Sequence, residues 1–161
     1  MDQLHPPIVH FAIALTITGV IFDLLGFVLK KESLKHAGFW TFVFGVSAVW
    51  GAMFSGEAAE EAVEKFIERT KIEKVFEPHE ELGKFLPWIF TGLGLFRIYL
   101  YIKESIKLLI IYLVLAFIGI GLIGYQGRLG GKLVYEYGVG VKPVIKKPPV
   151  EIKKHSHDED D

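Results

Sequence analysis

The amino-acid sequence predicts an all-α membrane protein: a four-helix transmembrane bundle with an amphipathic extramembrane helix and a glycine-rich C-terminal segment. Three observations lead to this prediction. First, 51% of the 161 residues are hydrophobic and 14% are aromatic, a composition more apolar than that of ordinary soluble domains. Second, the chain contains four apolar runs, each close to the length of about 20 residues that crosses a bilayer as a helix. Third, short polar or charged stretches separate these runs.

The first half of the chain supplies two of the spans. The first span covers residues 8–29 and follows Pro6 and Pro7, which suit the first turn of a helix. No Lys or Arg precedes it and its apolar run is too long for a signal peptide, so we expect it to be retained. The second span covers residues 37–54, where Ser47, Gly51 and Ser55 recur every four positions and favour close packing on a neighbouring helix. Residues 56–71 alternate apolar and glutamate positions at helical spacing, which predicts an amphipathic helix at the membrane surface.

The second half supplies the other two spans and a different C-terminal end. The spans cover residues 83–101 and 106–125. Beyond them lies a glycine-rich segment whose apolar residues alternate, which predicts a short extended segment or hairpin across one end of the bundle. The proline-rich, charged residues 142–161 are typical of a disordered tail, so the membrane domain is expected to cover residues 1–141.

Four crossings put both termini on the same side of the membrane. The short loops on the other side carry Lys30, Lys31, Lys35, Lys103 and Lys107. Because short cytoplasmic loops are enriched in Lys and Arg, we expect a multi-pass protein of the inner or plasma membrane with both termini outside the cytoplasm. A net charge of −1 and the lack of a basic cluster argue against nucleic acid as a partner.

Histidine is the strongest metal ligand that this sequence offers. The chain has no cysteine, which excludes thiolate metal sites and covalently attached c-type haem. His10 lies in the first turn of the first span and His79 just before the third, so an antiparallel bundle brings both to one membrane level. Two imidazoles facing each other suit haem b, with Phe11 and Trp88 as walls of the pocket.

Two alternatives to haem remain open from the sequence. A copper or zinc site could use His5, His10 and His79. His5 and His10 lie about 140° apart around a helix, so this site requires the prolines between them to redirect His5. In the other alternative the histidines merely cap helices at the membrane interface, and the protein is a structural or assembly subunit.

Asp23 is the residue of the first span that is energetically least favourable inside a bilayer. A carboxylate at this depth requires a partner. Together with Thr16, Gly19 and Gly26 it forms a stripe at spacings of three and four, which we expect to face the bundle interior. Arg97 lies at a similar depth in the third span. The simplest interpretation is an ion pair between them; the functional one is a proton-handling group near a quinone or haem.

Several motifs of the chain resemble the DUF2231 family of four-helix bacterial and archaeal membrane proteins. They are LHPPIVHFAIAL at positions 4–15, FSGEA around Gly56, HEELG at 79–83 and GGKLVYEYGVGV at 130–141. Relatives usually have proline where this chain has Ala12, and many have histidine where it has Tyr137. The second difference removes one candidate ligand.

The resemblance implies a redox-linked membrane role beside respiratory-chain or cytochrome subunits. It also implies that one cluster faces outward from the membrane. This cluster contains His5, His10, His79 and the C-terminal segment with Gly130, Gly131 and Tyr135. We therefore expect a small electron-transfer or accessory subunit rather than a stand-alone enzyme. The sequence leaves open whether it works as a homodimer.

Overall fold

Four long α-helices make up most of the described part of the protein. The computed structural model describes residues 4–60, 63, 67, 70–103 and 105–141, and these residues form four helices and no strand. The helices are α1 (His5–Val28), α2 (Glu32–Glu60), α3 (Glu73–Ile102) and α4 (Ile106–Tyr135). All four are long and apolar enough to cross a membrane. The all-α, four-span fold expected from the sequence is therefore confirmed.

The helices extend further than the apolar runs that identify them. The helix α2 continues to Glu60, so residues 56–60 of the expected amphipathic helix belong to α2. Most of its remaining residues, and the tail 142–161, lie outside the described part of the chain. The helix α3 begins at Glu73, well before the predicted span. The bilayer limits the apolar part of a helix, whereas polar turns can continue into the headgroup region.

The extended segment or hairpin predicted for the glycine-rich end is wrong. The helix α4 continues through Gly130 and Gly131 to Tyr135. It then ends in an αL motif, in which Gly138, with a φ of 68°, donates from its N–H to Val134 O at 3.0 Å. Helical backbone satisfies its own hydrogen bonds near the membrane, which outweighs the weak alternation of apolar residues.

The α1 and α2 helices pack with their backbones in close contact. The stripe of Thr16, Gly19, Asp23 and Gly26 is buried, as the sequence indicates. A Cβ atom added to Gly19 would lie 2.8 Å from the backbone N of Phe42. Of the face predicted for α2, Gly51 and Ser55 contact Ile8 and His5 of α1, whereas Ser47 is exposed. The buried face of α2 carries Gly38, Phe42, Gly45 and Val49.

The helices α1 and α2 form a first hairpin, and α3 and α4 form a second. The second hairpin repeats the first at an offset of 74 residues. Every buried residue of α1 and α2 has a buried counterpart at this spacing in α3 or α4. In α1 and α3 the pairs are Ala12 and Leu86, Thr16 and Phe90, Gly19 and Leu93, Val20 and Gly94, Asp23 and Arg97, and Gly26 and Leu100. In α2 and α4 they are Gly38 and Tyr112, Phe42 and Ala116, Gly45 and Gly119, and Val49 and Ile123.

This repeat gives the bundle an approximate twofold axis along the membrane normal. Each of α1 and α3 packs against both α2 and α4, so α1 and α3 lie diagonally opposite. The α3 and α4 helices pack less closely than α1 and α2, because Leu93, Leu100 and Tyr112 replace three of the contact glycines. Asp23 and Arg97 are equivalent residues that contact each other across the bundle centre.

Candidate functional site

His5 and its hydrogen bonds occupy the end of the first hairpin. Its ring packs on Gly56, where an added Cβ would lie 3.1 Å from His5 Cε1. His5 Nδ1 lies 3.0 Å from Ser55 Oγ, and the Ser55 hydroxyl donates to Ala52 O at 3.1 Å. Because the Ser55 hydroxyl donates its single hydrogen to Ala52 O, its oxygen is the acceptor for His5 Nδ1. Nδ1 of His5 therefore carries the hydrogen, and Nε2 keeps a lone pair that can bind a metal.

His79 occupies the same place in the second hairpin. Its ring packs on Gly130, where an added Cβ would lie 3.0 Å from His79 Cε1. Gln126 Nε2 donates to the backbone oxygen of His79 at 2.9 Å. Two side-chain atoms, His79 Nδ1 and Gln126 Oε1, are buried without a hydrogen-bond partner among the described residues. Buried polar atoms normally have partners, so an unpaired imidazole nitrogen here is notable.

The two histidines are counterparts in the repeat, and so are their glycines. His5 and His79 are separated by 74 positions, as are Gly56 and Gly130. Because the repeat relates α1 to α3, both rings lie at the same end of the bundle. The offset itself is the signal that would have paired these histidines from the sequence. We call His5, His79, Gly56 and Gly130 the histidine pair site.

His10, the predicted partner of His79, is exposed on α1. Its Nδ1 donates to Pro6 O at 2.6 Å within the same helix. The proposed walls are also on the outside: Phe11 is 66% exposed and Trp88 is 65% exposed. In a membrane these surfaces face lipid or headgroups. The structure thus places His5, rather than His10, at the position equivalent to His79.

In the part of the chain that the structure describes, the predicted metal site of three histidines and the predicted cluster of C-terminal residues are not formed as expected. Within residues 4–60, 63, 67, 70–103 and 105–141, no group of three or more His, Asp or Glu residues is arranged to hold a metal ion. Of the three C-terminal residues singled out by sequence, only Gly130 contacts a histidine. An added Cβ on Gly131 would have only Tyr135 as a neighbour, at 4.0 Å, and Tyr135 is 90% exposed.

The most polar contact inside the bundle joins Asp23 and Arg97. Arg97 donates from Nε to Oδ2 (2.9 Å) and from Nη2 to Oδ1 (2.8 Å), a two-point pairing of guanidinium and carboxylate. The Tyr112 hydroxyl donates to Oδ2 at 3.0 Å, and Arg97 Nη2 also donates to Lys35 O at 3.3 Å. The Arg97 guanidinium lies 5.7 Å from the ring centre of Phe39. The predicted ion pair is present, and both Asp23 carboxylate oxygens accept hydrogen bonds.

The four apolar helices and their internal polar contacts define an integral, multi-pass membrane protein. The family described as "Predicted membrane protein (DUF2231)" matches residues 1–143, and the chain belongs to this family. Neither the curated proteins nor the solved structures compared with the chain give a match. The family resemblance noted in the sequence motifs is therefore confirmed.

Proposed function

We propose that the protein is a small electron-transfer subunit of the inner or plasma membrane that holds a redox-active metal centre at the histidine pair site. Haem b is the group that this site suits best. The observation that carries the proposal is that two half-buried imidazoles occupy equivalent positions on diagonal helices, at one end of the bundle. Its expected electron partners are respiratory-chain or cytochrome subunits, and both termini lie outside the cytoplasm.

The side chains around the two rings support ligation by histidine. Metal-binding imidazoles commonly donate their other N–H to a fixed protein oxygen, which orients the ring. Ser55 Oγ is such an oxygen for His5. At His79 the neighbouring backbone carbonyl of Gln126 is an acceptor for the ring, although His79 Nδ1 makes no hydrogen bond of regular geometry among the described residues. Gly56 and Gly130 leave space for the rings, where any side chain would press on them. Haem b, when bound, would supply reversible one-electron chemistry.

Two ligands rather than three favour haem over zinc. Structural and catalytic zinc sites use at least three protein ligands, whereas a haem iron requires only an axial nitrogen on each face. His5 and His79 come from different helices, so each helix would supply one imidazole to hold a haem iron. The three-histidine set with His10 does not have this geometry, because His10 is exposed.

A metal-handling role for copper is the second candidate, and the charges beside the site favour it. Glu57 adjoins Gly56, and Glu80 adjoins His79. Both glutamates, with Glu60, act electrostatically on Lys84. Acidic side chains next to two imidazoles attract cations from solution. In this candidate the histidine pair site receives an ion rather than a macrocycle.

Spectroscopy of single-residue variants tests the proposal. The protein is produced with haem precursor supplied, purified in detergent and reduced, and its haem-to-protein ratio is measured from the Soret and α bands. His5→Ala and His79→Ala are each expected to lower that ratio by at least about tenfold, in line with the loss of a ligand or its support. His10→Ala is the matched control and is expected to keep the wild-type ratio.

Each outcome points to a different class of protein. Copper without haem bands, lost in His5→Ala and His79→Ala, supports metal handling. Absence of iron and copper in all preparations contradicts both candidates and favours a structural or assembly subunit. A loss of haem in His10→Ala equal to that in His5→Ala would contradict the assignment of the ligands.

A further inference from the structure

Asp23 and Arg97 are counterparts in the repeat, separated by 74 positions, and they contact each other directly. Contact between two equivalent residues is possible only near the axis that relates the two hairpins. His5 and His79 are counterparts at the same spacing, nearer the bundle end. The ion pair therefore lies where a symmetric pair of identical hairpins would place identical side chains.

Identical residues at this position would be unfavourable for either hairpin alone. Two copies of the α1 and α2 hairpin would bring Asp23 against Asp23, and two copies of the α3 and α4 hairpin would bring Arg97 against Arg97. The side chains at the contact are 1% and 8% exposed, so solvent would screen little of the repulsion. Only the combination of a first with a second hairpin neutralises both charges.

We propose that Asp23 and Arg97 determine which hairpins pair: their opposite charges dock the first hairpin on a second hairpin and exclude its pairing with its own kind from a second copy of the chain. The interaction surface is the inner face of each hairpin, and its partner is the complementary hairpin. This proposal does not depend on the metal centre proposed above.

Tyr112 and Gly38, which adjoin the ion pair, also favour the pairing of a first hairpin with a second one, for a reason other than charge. Tyr112 and Gly38 are counterparts in the repeat, yet only Tyr112 has a hydroxyl, and it donates to Asp23. An added Cβ on Gly38 would lie 2.6 Å from Asp23 Oδ1. Glycine on the first hairpin thus makes room for the carboxylate, and tyrosine on the second hairpin completes its hydrogen bonds. Two first hairpins together would lack that hydroxyl.

Co-expression of complementary variants of the full chain tests the proposal. One chain carries Asp23→Leu and the other Arg97→Met, with different affinity tags. Each chain alone buries an unpaired charge. If the chains exchange hairpins, one half of the complex regains the Asp23–Arg97 ion pair and the other half has an apolar contact between the two substituted side chains. We expect the two tags to co-purify at least about tenfold more than for two wild-type chains, since exchange relieves both buried charges.

The matched control is two differently tagged copies of Asp23→Leu. Exchange between these copies again leaves Arg97 opposite the substituted leucine, so co-purification should stay at the wild-type level. Equal co-purification of the complementary and identical combinations would overturn the proposal.

Each single variant buries an unpaired charge, which can prevent it from accumulating. A single chain with both Asp23→Leu and Arg97→Met has no such charge, and it shows whether the two substitutions themselves allow folding. If this double variant folds while the complementary chains yield no complex, the hairpins do not exchange and the proposal is wrong. If the complementary chains accumulate only when expressed together, the proposal is supported.

Discussion

Removal of the Asp23 carboxylate should strongly destabilise the bundle. Asp23→Ala leaves Arg97 charged, buried and without the two hydrogen bonds of 2.9 and 2.8 Å that it donates. It also deprives the Tyr112 hydroxyl of its acceptor at 3.0 Å. Breaking a buried ion pair by removing one partner costs about 3–5 kcal/mol. A loss of about 3 kcal/mol corresponds to an increase of more than about 100-fold in the unfolding equilibrium constant.

The free energy of unfolding can be measured by SDS titration in detergent, with tryptophan fluorescence as the signal. The chain contains three tryptophans. One of them, Trp50, donates to Thr91 across the α2 and α3 helices at 3.0 Å, so its environment changes when these helices separate. Glu80→Gln is the control, because it removes a partly exposed ion pair with Lys84. Such pairs contribute at most about 1 kcal/mol.

Two further variants separate the contribution of the unpaired Arg97 charge to the free energy of unfolding from that of the Tyr112 hydrogen bond. The doubly substituted chain, Asp23→Leu with Arg97→Met, should unfold within about 1 kcal/mol of wild type, since replacing both members of a buried ion pair by apolar residues is often neutral. Tyr112→Phe should cost about 0.6–1.7 kcal/mol, the range for side-chain hydrogen bonds inside membranes. A cost below about 1 kcal/mol for Asp23→Ala, or an equal cost for the double variant, would refute the reasoning.

The remaining predictions concern glycines that contact functional side chains. Gly38→Ala would place a Cβ 2.8 Å from the backbone N of Asp23, so we expect a loss of several degrees in the midpoint of thermal unfolding. Gly130→Ala would place a Cβ 3.0 Å from Cε1 of His79, so the ring must shift; we expect a several-fold loss of bound haem or metal with little change in stability. Gly121→Ala is the control for both, because an added Cβ there has no neighbour within 4 Å. Wild-type behaviour of Gly38→Ala or Gly130→Ala in these assays would contradict the close packing described here.

The sequence by itself determined the membrane class, the number of crossings and the polar stripe of α1. Lipid cannot hydrogen-bond to backbone, so an apolar run of the right length is restricted to a helix. A carboxylate in such a helix must find a partner, which led directly from Asp23 to Arg97. These conclusions depend on local properties of the chain and on the solvent around it.

The placement of His5 at the position equivalent to His79 became apparent only from the tertiary structure. His5 and His10 both lie near the start of α1, and their spacing alone could not show which of them packs on α2. The direction depends on how α1 rotates when its glycines pack on α2, which is a property of both helices. The repeat of 74 positions, present in the sequence but not recognised from it, links His5 with His79 and Gly56 with Gly130. Periodicity within one helix specifies which residues share a face, whereas only packing against other helices specifies what that face contacts.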